Sequence, residues 1–129
     1  MKEIKIAIKG HLKSINDNQK SVIDVIAMKK ENKIQYILDN VTHKIELKEN
    51  KIILIRENNE FRSTLEFIKG QKNKSYYLLK EKNFCVDINI KTIELEYKDN
   101  FIKIVYEVLD SNEKYEYMLE MRNIDEYKK

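Results

Sequence analysis

"KIILIRENNEFRSTLEF", residues 51–67, reads as two β-strands back to back about Asn58-Asn59. On both sides of the asparagines apolar and polar residues alternate, the period-two pattern of a half-buried strand. At position 56 the pattern asks for an apolar residue and finds arginine. The same alternation extends in both directions. Ile4, Ile6, Ile8 and Leu12 alternate with Lys5, Lys9, His11 and Lys13, which places His11 on the polar side. After short Asn- or Asp-bearing breaks, further strands are expected at about 21–30, 33–38, 41–48, 51–57, 60–69, 74–80, 83–90, 92–98, 101–109 and 114–123. No helix-period segment competes. Gly10, inside the first strand, predicts a kink or a close backbone approach.

Two-residue turns state which residues face each other, so each turn can be tested for whether it keeps one face apolar. Asp39-Asn40 pairs Leu38 with Val41, Tyr36 with His43 and Ile34 with Ile45. Glu49-Asn50 pairs Leu47 with Ile52, Ile45 with Leu54 and His43 with Arg56. Asn58-Asn59 then predicts Arg56 opposite Phe61, Leu54 opposite Ser63 and Ile52 opposite Leu65. Further along, Glu81-Lys82 sets Leu79 against Phe84 and Tyr77 against Val86. Asp99-Asn100 sets Tyr97 against Ile102, Leu95 against Ile104, Ile93 against Tyr106, and Glu96 against Lys103. Ser111-Asn112 sets Val108 against Tyr115, Tyr106 against Tyr117 and Ile104 against Leu119. Between Ile90 and Ile93 the phase slips by one residue, which predicts a β-bulge at Lys91-Thr92 inside one strand running from 83 to 98.

A chain of 129 residues with 42% hydrophobic content suits one domain, residues 1–129, with a sizeable core. There is no proline and there are two glycines, so the turns must draw on Asn and Asp for left-handed backbone. The 25 basic and 22 acidic residues leave a net charge of +3, and the two signs are interleaved. That argues against nucleic acid as a partner, which would favour a basic patch. A lone Cys85 excludes an internal disulfide and fits a reducing, cytoplasmic setting. Lysines interrupt the N-terminal apolar positions, and no run approaches the ~20 apolar residues of a membrane helix. Neither a signal peptide nor membrane insertion is expected.

An antiparallel meander of this kind must hide its apolar face by closing into a barrel or stacking as a sandwich, and neighbour-to-neighbour hairpins favour an all-β barrel of about 8–10 strands. Ile53, Ile55, Val105 and Leu109 are apolar on the opposite phase as well, which predicts a covered outer surface, as in a homodimer.

"VTHKIELKENKIILIRENNEFRSTLEFIKGQKNKSYY", residues 41–77, followed by "DINIKTIELEY", residues 87–97, resembles a bacterial family of YwiB-like proteins classed as a domain of unknown function. Arg56, Phe67, Gly70, Tyr77 and Thr92 fall where that family's pattern places them. In place of its Pro-Tyr-Gly-like turn stands "LLKEKNF", residues 78–84. The resemblance implies a calycin or lipocalin-like β-barrel.

The predicted register lines up Tyr36, His43, Arg56 and Phe61 across four adjacent strands on the inward face. Neighbouring Cβ atoms there lie about 4.5–5.5 Å apart. A guanidinium, an imidazole and a phenol on an apolar face can grip a carboxylate or phosphate through charge-assisted hydrogen bonds. An amphipathic or anionic ligand in the lumen would then meet Tyr36, His43 and Arg56 at its polar end, and Phe61, Phe67, Tyr77, Tyr106 and Tyr117 along its length. The competing reading makes Arg56 a rim residue beside a turn, its stem over Phe61 and its charge in water. The tyrosines would then fill a solid core, and the barrel would serve protein interaction or self-association instead. No residue argues for an enzyme: Ser/His/Asp order, a Gly-rich phosphate loop and metal-ligand spacing are all missing from the sequence, and no cofactor is implied.

Overall fold

A computed structural model describes residues 3–124. Ten antiparallel strands follow one another: β1 (Ile4–Ser14), β2 (Gln19–Lys30), β3 (Lys33–Leu38), β4 (Val41–Lys48), β5 (Lys51–Glu57), β6 (Phe61–Ile68), β7 (Lys72–Leu79), β8 (Phe84–Lys98), β9 (Phe101–Val108) and β10 (Glu113–Asn123). Each pairs with its chain neighbours, and β1 pairs with β10 from Ile6↔Asn123 to Ser14↔Tyr115, closing a calycin-like barrel. The period-two alternation produces this directly, because one phase of every strand must leave water and closure leaves the meander no uncovered inner face. Asn and Asp supply the sharp backbone. Every non-glycine residue with positive φ among the described residues is one of these two types except Glu31.

The Asp39-Asn40, Glu49-Asn50 and Glu81-Lys82 turns give the predicted partners, including Tyr36↔His43, His43↔Arg56 and Tyr77↔Val86. Two other turns differ. Arg56 faces Ser63 rather than Phe61, Leu54 faces Leu65, and Ile52 faces Phe67. The turn is centred on Asn59-Glu60, because Asn58 uses its side chain to hold it: Oδ1 accepts from the backbone N–H groups of Glu60 (2.7 Å) and Phe61 (3.1 Å). Likewise Tyr115 faces Tyr106, Tyr117 faces Ile104 and Leu119 faces Ile102. There the Ser111 N–H donates to the Val108 carbonyl and Asn112 takes a positive φ, giving a four-residue loop. Moving a turn centre by one residue moves every partner by two, so the face a residue points to is preserved. Ile93 does not face Tyr106. Thr92 does, and the bulge lies between Thr92 and Glu94 of the single strand β8.

The lower end of the barrel, which carries the β2–β3, β4–β5, β6–β7 and β8–β9 turns, is solid: Ile34, Ile45, Ile52, Phe67, Ile102 and Leu119 are fully buried there. Gly10 lets β1 and β10 touch. A Cβ at that position would stand 1.8 Å from the Met118 carbonyl oxygen. Two ladders are incomplete. β6 and β7 pair only over Phe61–Thr64 and Tyr76–Leu79, and below that Ser75 Oγ accepts from the Glu66 N–H while Asn73 Nδ2 donates to the Glu66 carbonyl. β2 and β3 pair only over Met28–Lys30 and Lys33–Gln35.

On the outer face, Ile53, Ile55 and Leu109 are half-buried and Val105 is buried. Charged neighbours cover them: Ile53 lies between Glu46 and Glu66, the latter 2.9 Å from Lys51 Nζ. Stems of such side chains shield apolar surface while their charges stay wet. The exposed apolar residues are others, notably Val22, Ile26 and Ile37. Among the described residues no helix is long and apolar enough to cross a membrane.

Candidate functional site

The upper end of the barrel is open. A cavity of about 560 Å³ is bounded by Leu12, Leu65, Ile88 and Val108, by the rings of Phe61, Tyr77, Tyr106 and Tyr115, and by Arg56 and Ser63. Val86, Asp87 and Asp110 complete its wall. A groove of about 430 Å³ at the foot of β2, β3 and β4 is lined largely by lysines and glutamates, among them Lys30, Lys33, Lys44 and Glu46. The lumenal cavity instead has the apolar wall and few polar groups of a small-molecule site.

Arg56 is the cation in that wall. Among the described residues the ion pairs join lysines, and His11, to acidic groups, and none engages Arg56. Its charge acts on the rings around it. Burial pushes the Tyr36, Tyr106 and Tyr117 hydroxyls up, and Arg56 opposes that rise at all three. At His43, burial first and then Arg56 hold the imidazole down to about 4, so the ring is neutral near pH 7. A neutral His43 stacks flat on Tyr36, with ring centroids 4.5 Å apart and planes 5° from parallel. Its Nδ1 is buried and has no hydrogen-bond partner among the described residues.

The candidates therefore separate into two groups. Arg56, Phe61, Tyr77 and Tyr106 line the cavity. Tyr36, His43, Phe67 and Tyr117 do not. Tyr36 and Tyr117 are buried and share a 2.7 Å hydrogen bond between their hydroxyls, and Phe67 packs against Tyr106 at 4.9 Å. Phe61 stands two residues from the position opposite Arg56 and stacks on Tyr77 at 5.4 Å. Ser63, which takes that position, and Tyr115, which stacks on Tyr106 at 5.4 Å, are among the wall residues that the sequence reading left out, with Asp87, Asp110 and the aliphatic ones. Ser63 could have been found only with the right turn centre. Gly70 and Thr92 act elsewhere: the Gly70 N–H donates to the Thr92 carbonyl, and the Thr92 N–H to that of Gln71, tying the β6–β7 turn to the bulge.

His11 was expected on the polar face and occupies it, yet it is buried there, its Nε2 2.7 Å from Glu116 Oε1. That contact holds the Glu116 carboxyl below its usual range. Cys85 is exposed. Among the described residues no group of three or more His, Cys, Asp or Glu side chains is arranged to hold a metal ion.

Residues 4–122 match the family described as a domain of unknown function, DUF1934. The structure is similar to the crystal structure of the ywiB protein from Bacillus subtilis, with a TM-score of 0.62 and 14% sequence identity over 94% of this chain and 91% of that one. At that identity the likeness is one of fold. A search of curated proteins returned no match.

Proposed function

The chain belongs to the DUF1934 family, and we propose that it binds a small amphipathic anion in the upper lumen of its barrel. One observation carries this reading: a guanidinium with no ion-pair partner among the described residues stands in the wall of a largely apolar cavity of about 560 Å³. A charge brought partly out of water is costly unless it is paired, and an incoming carboxylate or phosphate would supply the partner. Ser63 beside it and the Tyr106 hydroxyl near it add donors for the remaining oxygens. The paired rings Phe61–Tyr77 and Tyr106–Tyr115 form two flat walls suited to an alkyl or aryl tail.

Decanoate and its neutral analogue decanol test the reading by calorimetric titration. The wild type should prefer decanoate. Arg56→Met keeps the apolar stem and should weaken decanoate by about 1.5–3 kcal/mol while leaving decanol unchanged. Equal affinity of the wild type for acid and alcohol, or an unaltered decanoate affinity in the variant, would remove Arg56 as an anion site. Extraction and mass spectrometry of the native protein would identify the physiological ligand.

A further inference from the structure

The β2–β3 ladder ends early. Its last rung is Met28↔Gln35. The next two, Ala27 opposite Tyr36 and Ile26 opposite Ile37, do not form, and the Ile26 and Ile37 side chains are exposed, at 57% and 64%. From there upward β2 is paired with β1 alone, through Ser14↔Gln19. An unpaired strand edge is a template for another strand.

Which backbone groups this edge offers follows from the turn below it. In a two-residue hairpin the flanking residues, here Lys30 and Lys33, form the hydrogen-bonded pair, and such positions recur at every second residue. The β1–β2 register is unbroken from Ile4↔Lys29 to Ser14↔Gln19, so the parity holds along β2. Ile26, Asp24, Val22 and Lys20 therefore turn their N–H and C=O groups toward the open side. Their side chains share the outer face, where Val22 is 69% exposed.

We propose that this edge pairs with the same edge of a second copy, antiparallel about a two-fold axis at Val22. Isologous pairing of even-numbered positions allows few registers. Centring on Val22 sets Val22 against Val22 and Lys20 against Asp24 twice over. Shifting each chain's partners by two sets Val22 against Asp24, and shifting them by four sets Asp24 against Asp24. Only the Val22-centred arrangement among these joins opposite charges and puts an apolar side chain on an apolar one. It is independent of the lumen and of any ligand there.

Sedimentation velocity across a concentration series, on the full chain, tests it. The wild type should show a monomer–dimer equilibrium. Lys20→Asp sets carboxylates against carboxylates and Asp24→Lys sets ammonium groups against each other, so each variant alone should dissociate about 10-fold more readily or worse. Mixing the two single variants should restore a dimer, because both cross-strand pairs become opposite in sign again. All of these positions are exposed, and circular dichroism will show whether each variant is folded. A wild type that stays monomeric at every concentration overturns the proposal. So do single variants that dimerise like the wild type, a mixture that stays monomeric, and an edge that captures an unrelated extended peptide while the protein remains monomeric.

Discussion

The hydroxyl oxygens of Tyr36 on β3 and Tyr117 on β10 lie 2.7 Å apart, joining two strands that are not neighbours in the barrel. Both rings are buried and neither lines the cavity, so the bond marks the boundary between the solid part of the lumen and the open part. Each hydroxyl is the other's partner. Tyr36→Phe leaves the Tyr117 hydroxyl buried and unsatisfied, which should cost about 1–3 kcal/mol in urea unfolding. Replacing both tyrosines by Phe removes the orphan, and the double variant should be more stable than Tyr36→Phe alone. A double variant that loses the sum of the two single effects would show that the bond carries no coupling.

Gly10 sets the approach of β1 to β10. The atom that a Cβ would meet is a backbone carbonyl oxygen, which cannot rotate away as a side chain can. Gly10→Ala must separate the two strands that close the barrel, and a loss of ~2–4 kcal/mol is expected. The thermal midpoint of the variant measures it, and an unchanged midpoint would mean that the closure tolerates the added methyl.

The inward face of every strand was legible in the sequence because a side chain's face depends only on odd or even position. The partner across the turn was not always legible, because it depends on where the turn is centred. Asn58-Asn59 and Ser111-Asn112 look like two-residue corners, yet one is held by an Asx contact and the other opens to four residues. Both alternatives keep Leu54 and Tyr106 inside, so the test of a continuous apolar face could not choose between them. The same limit hid Ser63 from the site. Whether the lumen is filled was beyond reach for a different reason: alternation counts inward side chains but does not give the strand tilt and stagger that fix the space they must fill.

His43 gives the fold a pH dependence with a definite sign. Burial and Arg56 lower its folded pKa to about 4 from the ordinary 6.5, so the unfolded chain takes up the proton first. Stability is therefore complete above about 6.5 and declines as the pH falls toward about 4. The ring is only partly buried, and with solvent screening the loss between pH 7.5 and 5 should be on the order of 1 kcal/mol. His43→Phe keeps a ring against Tyr36 and has nothing to protonate. Urea midpoints should fall over that interval in the wild type and stay flatter in the variant. Equal slopes in the two proteins would place the acid sensitivity elsewhere.

Arg56 and His43 are cross-strand partners, and this makes His43 a reporter of the charge in the cavity wall. Burial is the larger cause of the lowered imidazole pKa and Arg56 the second. Arg56→Met removes the second alone, so the pKa should rise from about 4 while remaining below 6.5. An NMR titration of the His43 Cε1–H signal measures it, the signal being assigned by its loss in His43→Phe. Saturating decanoate should act in the same direction in the wild type, because a carboxylate beside the guanidinium offsets its field at His43. In Arg56→Met the ligand has no such charge to offset, and any carboxylate placed near the imidazole could act only directly. If Arg56→Met leaves the His43 signal titrating at about 4, burial alone sets the pKa, and the guanidinium of residue 56 points its charge into water rather than across the lumen.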